Sequence, residues 1–332
     1  MLQTTEADRA ASLERAIGAL PVEIDHTQVE ISEVLVPSYG ELPRPTSITR
    51  VTGGGITGRG EHVGWTHEAH ESFRKHALSA MPTGRFSVQS LATKLKTELS
   101  DPYDRAALEA AAIDLALRQA QTRAESLLSI QPRPTRYVLS LSPQGEPGAA
   151  IRQTLGQNHN LEIKIDVDPE WKAAEFESVA ANGRVAVLDW KKKGNPRAQR
   201  LATKFFPTAI QEDPGPDPMH ASPGGTSRRS IDGPFIEENS LISAAKPFAA
   251  NIKPARMGGV LEALRGASYC IRNGIQVYFG GMFELDIGRH QLLALASLIS
   301  PDGPNDIAPI ERAKPLTTRP ERLHVSNHPG FR

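Results

Sequence analysis

The chain has 332 residues, enough for one large domain or two ordinary ones with a full core. Its 38 acidic and 38 basic residues cancel and aromatics make up only 5%. That balance argues against a nucleic-acid partner, an anionic membrane surface or a stacking platform for single strands.

A single cysteine, Cys270, excludes an internal disulfide framework and a cysteine-rich zinc site, and its apolar helical neighbours predict a buried, inert thiol. No stretch approaches the ~18 apolar residues that a membrane span requires. The opening "MLQTTEADRAASLERAIGAL" lacks a charged region followed by an apolar core, so no secretory signal is expected and a cytoplasmic protein is the default.

Residues 1–27 form an N-terminal helical extension, with Ala and Leu alternating against Glu and Arg over the first twenty positions. Residues 28–130 read as an α+β domain. "VEISEVLVP" and "SITRVTGGGITGRGEHVGW" are β-branched and glycine-punctuated, as in antiparallel strands, with the loop "SYGELPRPT" between them. Helices are expected from 67 to 128, clearest in "DPYDRAALEAAAIDLALRQAQTRAESLL". There Asp101 or Asp104 caps, Pro102 suits the first turn, and Ala107, Leu108, Ala111, Ala112, Leu115 and Ala116 make a close-packing face.

Two motif matches in this half carry little. Gly53, Gly55 and Gly58 satisfy G-x-G-x-x-G, but no helix follows, so no dinucleotide site is expected. His67 and His70 lack the metalloprotease spacing and read as part of a solvated helix.

From 131 to 312 the rhythm changes, ahead of a C-terminal tail, 313–332. Short apolar runs recur in "RYVLSL", "LEIKID", "VAVLDW", "TAIQED", "RSIDGP", "AANIKP" and "IQVYFGG", several separated by helical patterns. Strands alternating with helices imply a parallel sheet, and about seven or eight such units in ~200 residues imply a (β/α)8-type barrel. The fold class is therefore α/β, a barrel preceded by an N-terminal α+β capping domain.

In such a barrel the chemistry sits at the C-terminal strand ends. Those positions hold Lys164 and Asp166, Asp189 with Lys191, Glu212, Asp232 and Lys253. Charged groups in a barrel mouth must be paired or metal-bound. Asp189, Glu212 and Asp232 suit a hard divalent cation, and oxygen ligands favour Mg2+. Lysines facing each other across that cation would have their pKa lowered by desolvation and neighbouring positive charge, becoming usable bases. A metal polarising a carboxylate would stabilise the enediolate left when an α-proton departs.

These residues resemble the enolase superfamily, nearest its o-succinylbenzoate synthase and muconate cycloisomerase side. The resemblance spans roughly 28 to 310. It is carried by "GGGITGRGEHVGW", "LEIKID", "VLDW", "IQEDP", "SIDGP", "NIKPARMGG" and "FGGMFELDIGRHQLLALASL". It implies Asp189, Glu212 and Asp232 as metal ligands and Lys164 and Lys253 as the acid/base pair, positions that recur every 20 to 25 residues. It also places Glu284, Gly281 and Asn251 on the substrate side. Glu284 is either a pocket-lining group or a residue bonded to its own glycine turn, and Gly280 and Gly281 either admit a substrate or make that turn.

Two departures stand out. The second strand has one lysine where the family has Lys-x-Lys, and Lys191 stands where the family has asparagine. Lys191 is thus an additional base, a holder of an anionic substrate, or a partner of Asp189 competing with magnesium. Lys192 and Lys193 read as solvated. The implied function is Mg2+-dependent abstraction of a proton α to the carboxylate of a small-molecule acid, ending in dehydration, cycloisomerisation or racemisation. The alternative is a catalytically inactive barrel that binds a small anion or acts as a scaffold. A homo-oligomer remains open.

Overall fold

Helix α1 (Glu6–Ala19) buries Ala10, Leu13 and Ile17 along one face because they recur at helical spacing. The computed structural model describes residues 6–36, 43–156, 158–215, 228–232, 247–309, 319–325 and 331. After β1 (Pro21–Ile24), strands β2 (His26–Val34), β3 (Arg44–Gly53) and β4 (Ile56–His62) form an antiparallel meander. Gly54 and Gly55, at φ 57° and 75°, make the β3–β4 turn, so the glycine run serves a hairpin and not a phosphate.

Helix α2 (His67–Ala80) starts at Thr66, whose hydroxyl accepts from Ala69 N at 3.2 Å. Strand β5 (Gly84–Ser87) pairs antiparallel with β1, and α3 (Val88–Glu98) begins at a Ser87–Ser90 capping box. Helix α4 (Pro102–Gln119) is capped by Asp101, which accepts from Tyr103 N at 2.7 Å, with Pro102 in its first turn. Its alanine face lies directly on β4. A Cβ on Gly58 would stand 2.2 Å from Leu115 N, and one on Gly60 2.2 Å from the Ala107 carbonyl oxygen. The short α5 (Ala124–Leu128) ends this half.

One sequence expectation fails here. His67 is solvated, but His70 is fully buried, its ring 2.5 Å from Ser47 Oγ and 3.0 Å from the Gly64 carbonyl. Burial and the neighbouring His62 push its pKa down to about 4. The residue lies on the face of α2 turned to β3, which exposure of its sequence neighbours conceals.

The C-terminal half supplies β6 (Val138–Leu141), α6 (Pro147–Leu155), β7 (Glu162–Asp166), α7 (Ala173–Asn182), β8 (Arg184–Asp189), α8 (Pro196–Phe205), β9 (Ile210–Glu212), β10 (Arg229–Ile231) and β11 (Ala249–Ile252). There follow α9 (Pro254–Met257), α10 (Val260–Arg272), β12 (Gln276–Phe279) and α11 (Ile287–Ile299). The seven strands β6 to β12 hydrogen-bond in sequence order in one parallel sheet. All seven fall on the expected apolar runs, as strands covered by helices on one side and a filled interior on the other must.

The ring is closed by a two-residue segment. Asn305 bridges in parallel to Tyr137 and Asp306 to Gly280, joining β12 back to β6. The Asn305 side chain completes the ladder, accepting from Phe279 N at 2.8 Å and donating to the carbonyls of Arg136 and Ser300. Helix α1 packs against the barrel through α10, with Ser268 Oγ donating to the Ala7 carbonyl and Arg265 paired to Glu14. Cys270 is buried on α10 and burial pushes its thiol up to about 12, as an inert thiol requires. Among the described residues no helix is long and apolar enough to cross a membrane. Residues 216–227, most of the Pro/Gly-rich segment after β9, lie outside the described residues.

Candidate active site

Adjacent parallel strands in register bring equivalent strand ends together. Asp166 pairs with Asp189, and Asp189 with Glu212, in the β7–β8–β9 ladders. Asp232 follows β10 immediately. As a result Asp189, Glu212 and Asp232 each offer a carboxylate oxygen within 4.8 Å of the others, all three buried.

Two lysines face this triad. Lys164 Nζ lies 3.1 Å from Asp189 Oδ2, donates to Glu212 Oε1, and stands 3.3 Å from Asp306 Oδ2. Lys253 Nζ lies 2.8 Å from Asp232 Oδ2. β7 and β11 are four steps apart in either direction around a ring of seven strands and one closing segment, so these lysines come from opposite walls.

Burial alone would depress the Lys164 ammonium, but Glu212, Asp306 and Asp189 more than offset it and hold its pKa well above the lysine range. Its nearest charges are the three carboxylates of Asp189, Glu212 and Asp306. Burial likewise works against ionised Asp189, yet Lys164 and Lys191 bring it well below the usual carboxylate range. Asp232 is lowered by Lys253, Lys164 and Arg256 against the same burial penalty. Glu212 goes the other way, because it is the most enclosed and has two carboxylates beside it.

Glu212 is also the best-anchored carboxylate of the three. Tyr278 donates its hydroxyl to Oε2, as does Asn251 Nδ2 at 3.2 Å, and Ser230 Oγ sits 2.8 Å from the Tyr278 oxygen. Asn251, expected on the substrate side, is therefore bonded to a triad member. Gly280 allows this, since a Cβ there would lie 2.3 Å from Asn251 Oδ1 and 2.9 Å from Lys253 Cε. Glu284 is bonded to its own turn: both carboxylate oxygens accept from Met282 N, at 3.0 and 2.9 Å. A Cβ on Gly281 would meet that carboxylate at 2.3 Å.

Lys191 reaches back to its own strand end, with Nζ 2.5 Å from Asp189 Oδ2 and 3.2 Å from Asp166 Oδ1. Lys192 and Lys193 are exposed. Three site residues have no counterpart in the sequence reading: Asp306, Tyr278 and Arg256, whose Nη1 is 3.2 Å from Asp232 Oδ2. Tyr278 was findable from strand alternation, since it stands opposite Asn251 in the β11–β12 register.

The donor set fits a hard dication. It is all carboxylate, and Asp232 Oδ1 is buried without a hydrogen-bond partner among the described residues.

Comparison with known proteins gives concordant findings. Residues 15–127 and 131–313 match the N-terminal and C-terminal domains of a family described as a domain of unknown function (DUF8230). An N-succinylamino acid racemase from Amycolatopsis sp is 35% identical over 118 residues, 31% of this chain and 32% of that protein. The o-succinylbenzoate synthase of Bacillus subtilis (strain 168) is 47% identical over 62 residues, 19% of this chain and 17% of that one. The matches thus span about a third or less of these curated relatives. Among solved structures, a member of the enolase superfamily from Enterococcus faecalis V583 superposes with a TM-score of 0.72 at 22% identity over 86% of both chains. A dipeptide epimerase from Methylococcus capsulatus, complexed with Mg and the dipeptide L-Arg-D-Lys, gives 0.72 at 21% over 89% of this chain and 93% of that one.

Proposed function

The chain belongs to the DUF8230 family, and we propose that it is an enolase-superfamily enzyme that abstracts a proton α to the carboxylate of a small acid, a reading supported by its fold and its partial curated matches. Asp189, Glu212 and Asp232 would hold Mg2+, which supplies the positive charge that makes the α-proton acidic. Lys164 and Lys253, on opposite walls, would take and return protons on opposite faces of the α-carbon. The observation that carries this reading is the convergence of three buried carboxylates between two buried lysines.

The chain's own residues have definable tasks. Tyr278 and Asn251 fix the Glu212 carboxylate by donating to one of its oxygens, leaving the other inward. Asp306 keeps a hold on Lys164 from the closing segment, steadied by Ser140 Oγ at 2.7 Å. Once Asp189 and Glu212 are engaged elsewhere, Lys164 loses two of its three negative neighbours and its pKa falls towards a useful range. Racemisation and dehydration begin with removal of this proton; in cycloisomerisation its removal opens the ring, or its delivery follows ring closure. The racemase and synthase relatives support a substrate of the N-acylamino acid kind, or a non-aromatic hydroxylated ring acid that loses water to give a succinylbenzoate.

The test is α-proton exchange in deuterated water across a panel of N-acylamino acids, dipeptides and non-aromatic hydroxylated ring acids, with Mg2+ and with chelator. Exchange that needs the cation supports the reading; undiminished exchange in chelator sinks it. A second reading, a barrel retaining the fold without the chemistry, is favoured by one observation. The Lys191 ammonium lies on Asp189, where a metal would bind.

A further inference from the structure

Lys191 is held in an unusual way. Its backbone is left-handed, at φ 49°, and so is that of Lys192, at φ 63°. Three hydrogen bonds pin the turn: Lys191 N donates to Asp189 Oδ1 at 3.1 Å, Lys192 N to the Asp213 carbonyl at 2.8 Å, and Lys193 N to the Trp190 carbonyl at 2.8 Å. The turn sends the half-exposed side chain back towards the strand it has just left.

The ammonium then shares one oxygen with another. Asp189 Oδ2 has Lys191 Nζ at 2.5 Å and Lys164 Nζ at 3.1 Å, while Asp232 Oδ1 has no partner among the described residues. Asp232 Oδ2 also has two cations, Lys253 Nζ at 2.8 Å and Arg256 Nη1 at 3.2 Å, but of the four only Lys191 is half-exposed with a second carboxylate within reach. A second resting place is adjacent: Asp166 stands opposite Asp189 in the β7–β8 register, and its Oδ1 is already 3.2 Å from Lys191 Nζ. The other Asp166 oxygen accepts from Ser142 Oγ at 2.5 Å, which fixes that carboxylate in place.

We propose that Lys191 is an intramolecular competitor for the metal site: it neutralises Asp189 in the metal-free protein and transfers to Asp166 when a divalent cation binds. An ammonium and a dication cannot share one carboxylate oxygen without strong repulsion, so binding requires the transfer. Lys191 thereby weakens cation affinity and couples loading to the movement of a single side chain. The inference rests on the triad being a metal site.

The experiment is calorimetric titration of Mn2+ into the whole protein and into K191N, K191A, D166N and D189N, with circular dichroism confirming each fold. Asparagine tolerates a left-handed backbone, so K191N removes the ammonium while keeping the turn. Both Lys191 variants should bind about tenfold tighter, the equivalent of about one lost ion pair. D166N, deprived of the second resting place, should bind more weakly than the natural protein. Equal affinity of K191N and the natural protein, with D189N abolishing binding, overturns the competition and leaves the metal site standing. Tighter binding in K191N but not in K191A also overturns it, because the asparagine oxygen would then be acting as a ligand. D166N affinity equal to or above the natural protein's overturns the transfer. No binding by any variant, K191N included, instead removes the metal reading of the triad.

Discussion

Glu109, on capping-domain helix α4, accepts a hydrogen bond from Leu261 N at the start of barrel helix α10, at 2.9 Å. It is a borrowed N-cap. α10 begins at Gly259, which has no side chain to satisfy its first N–H groups, and a Cβ on Gly259 would lie 2.3 Å from Glu109 Oε2. Glu61, at the end of β4, does the same for α11, accepting from Leu285 N at 2.5 Å, Asp286 N at 2.9 Å and Gly288 N at 3.0 Å. Two buried carboxylates of the capping domain thus fasten it to two barrel helices.

Burial raises the Glu109 pKa to about 7, with Glu262 adding and the Leu261 and Val260 amides and Arg265 opposing. The folded state therefore holds a proton that the unfolded chain releases near 4.5. Its contribution is full below about 4.5 and is lost as pH rises through about 7. Glu109→Gln keeps an acceptor oxygen and removes the titration. Thermal unfolding from pH 4.5 to 8.5 should show a shallower decline for the variant, with a gain at pH 8 of up to about 3 kcal/mol. Parallel curves for variant and natural protein would rule out the raised pKa.

Glu61→Ala should be far more damaging. It leaves three amides of the segment following β12 and the Thr46 hydroxyl, 2.9 Å from Oε1, without their acceptor. Denaturant unfolding should show a loss of about 2–4 kcal/mol. The α11 helix and the Glu284 turn should exchange amide hydrogens faster than the rest of the barrel. A loss within 0.5 kcal/mol would mean that water replaces Glu61.

The close seat of α4 on β4 gives a sharper stability test. Gly60→Ala would put a methyl carbon 2.2 Å from the Ala107 carbonyl and 2.7 Å from Ala111 N, both backbone atoms that cannot rotate away. A loss of about 3 kcal/mol or more is expected, against a change within about 1 kcal/mol for Gly54→Asn, whose Cβ would meet nothing within 4 Å. Asn suits the positive φ there.

What could be read from the chain, and what could not, follows physical lines. The seven barrel strands were visible because each falls on a short apolar run, several of them separated by clear helical patterns. The closing segment was not, because two residues in "PDGPNDIAP" carry no strand signature and Asn305 supplies ladder bonds from its side chain. Asp306 was missed with it. β1 and β5 escaped for a similar reason, being four residues each. Strand-end position and the family resemblance brought out the triad and its lysines, and their near-equal spacing agreed, since register converts equal intervals into adjacency. The three carboxylates that hold the Lys164 ammonium were not readable, because the sign of its shift depends on which neighbours face it, and position along a strand does not show that. Whether Glu284 points at the mouth or into its own turn was equally unreadable, as that is decided by one side-chain rotation.

Lys164 and Lys253 offer the most direct assay of the proposed chemistry. With two lysines on opposite walls, each should serve one stereochemical direction of proton transfer. Lys164→Ala and Lys253→Ala should each reduce turnover by about 10²-fold or more. If the substrate is racemised, each variant should still exchange the α-proton of one enantiomer with solvent deuterium, and the two variants should retain opposite enantiomers. Removing Lys164 also leaves Asp189 and Glu212 facing each other with less counter-charge, so the metal-free variant should lose about 3–5 kcal/mol of stability. Saturating Mg2+ should return part of that loss, since it binds only the folded state. A Lys164→Ala protein as stable as the natural one without metal, and unaffected by adding it, would show that neither the ammonium nor a cation neutralises the triad.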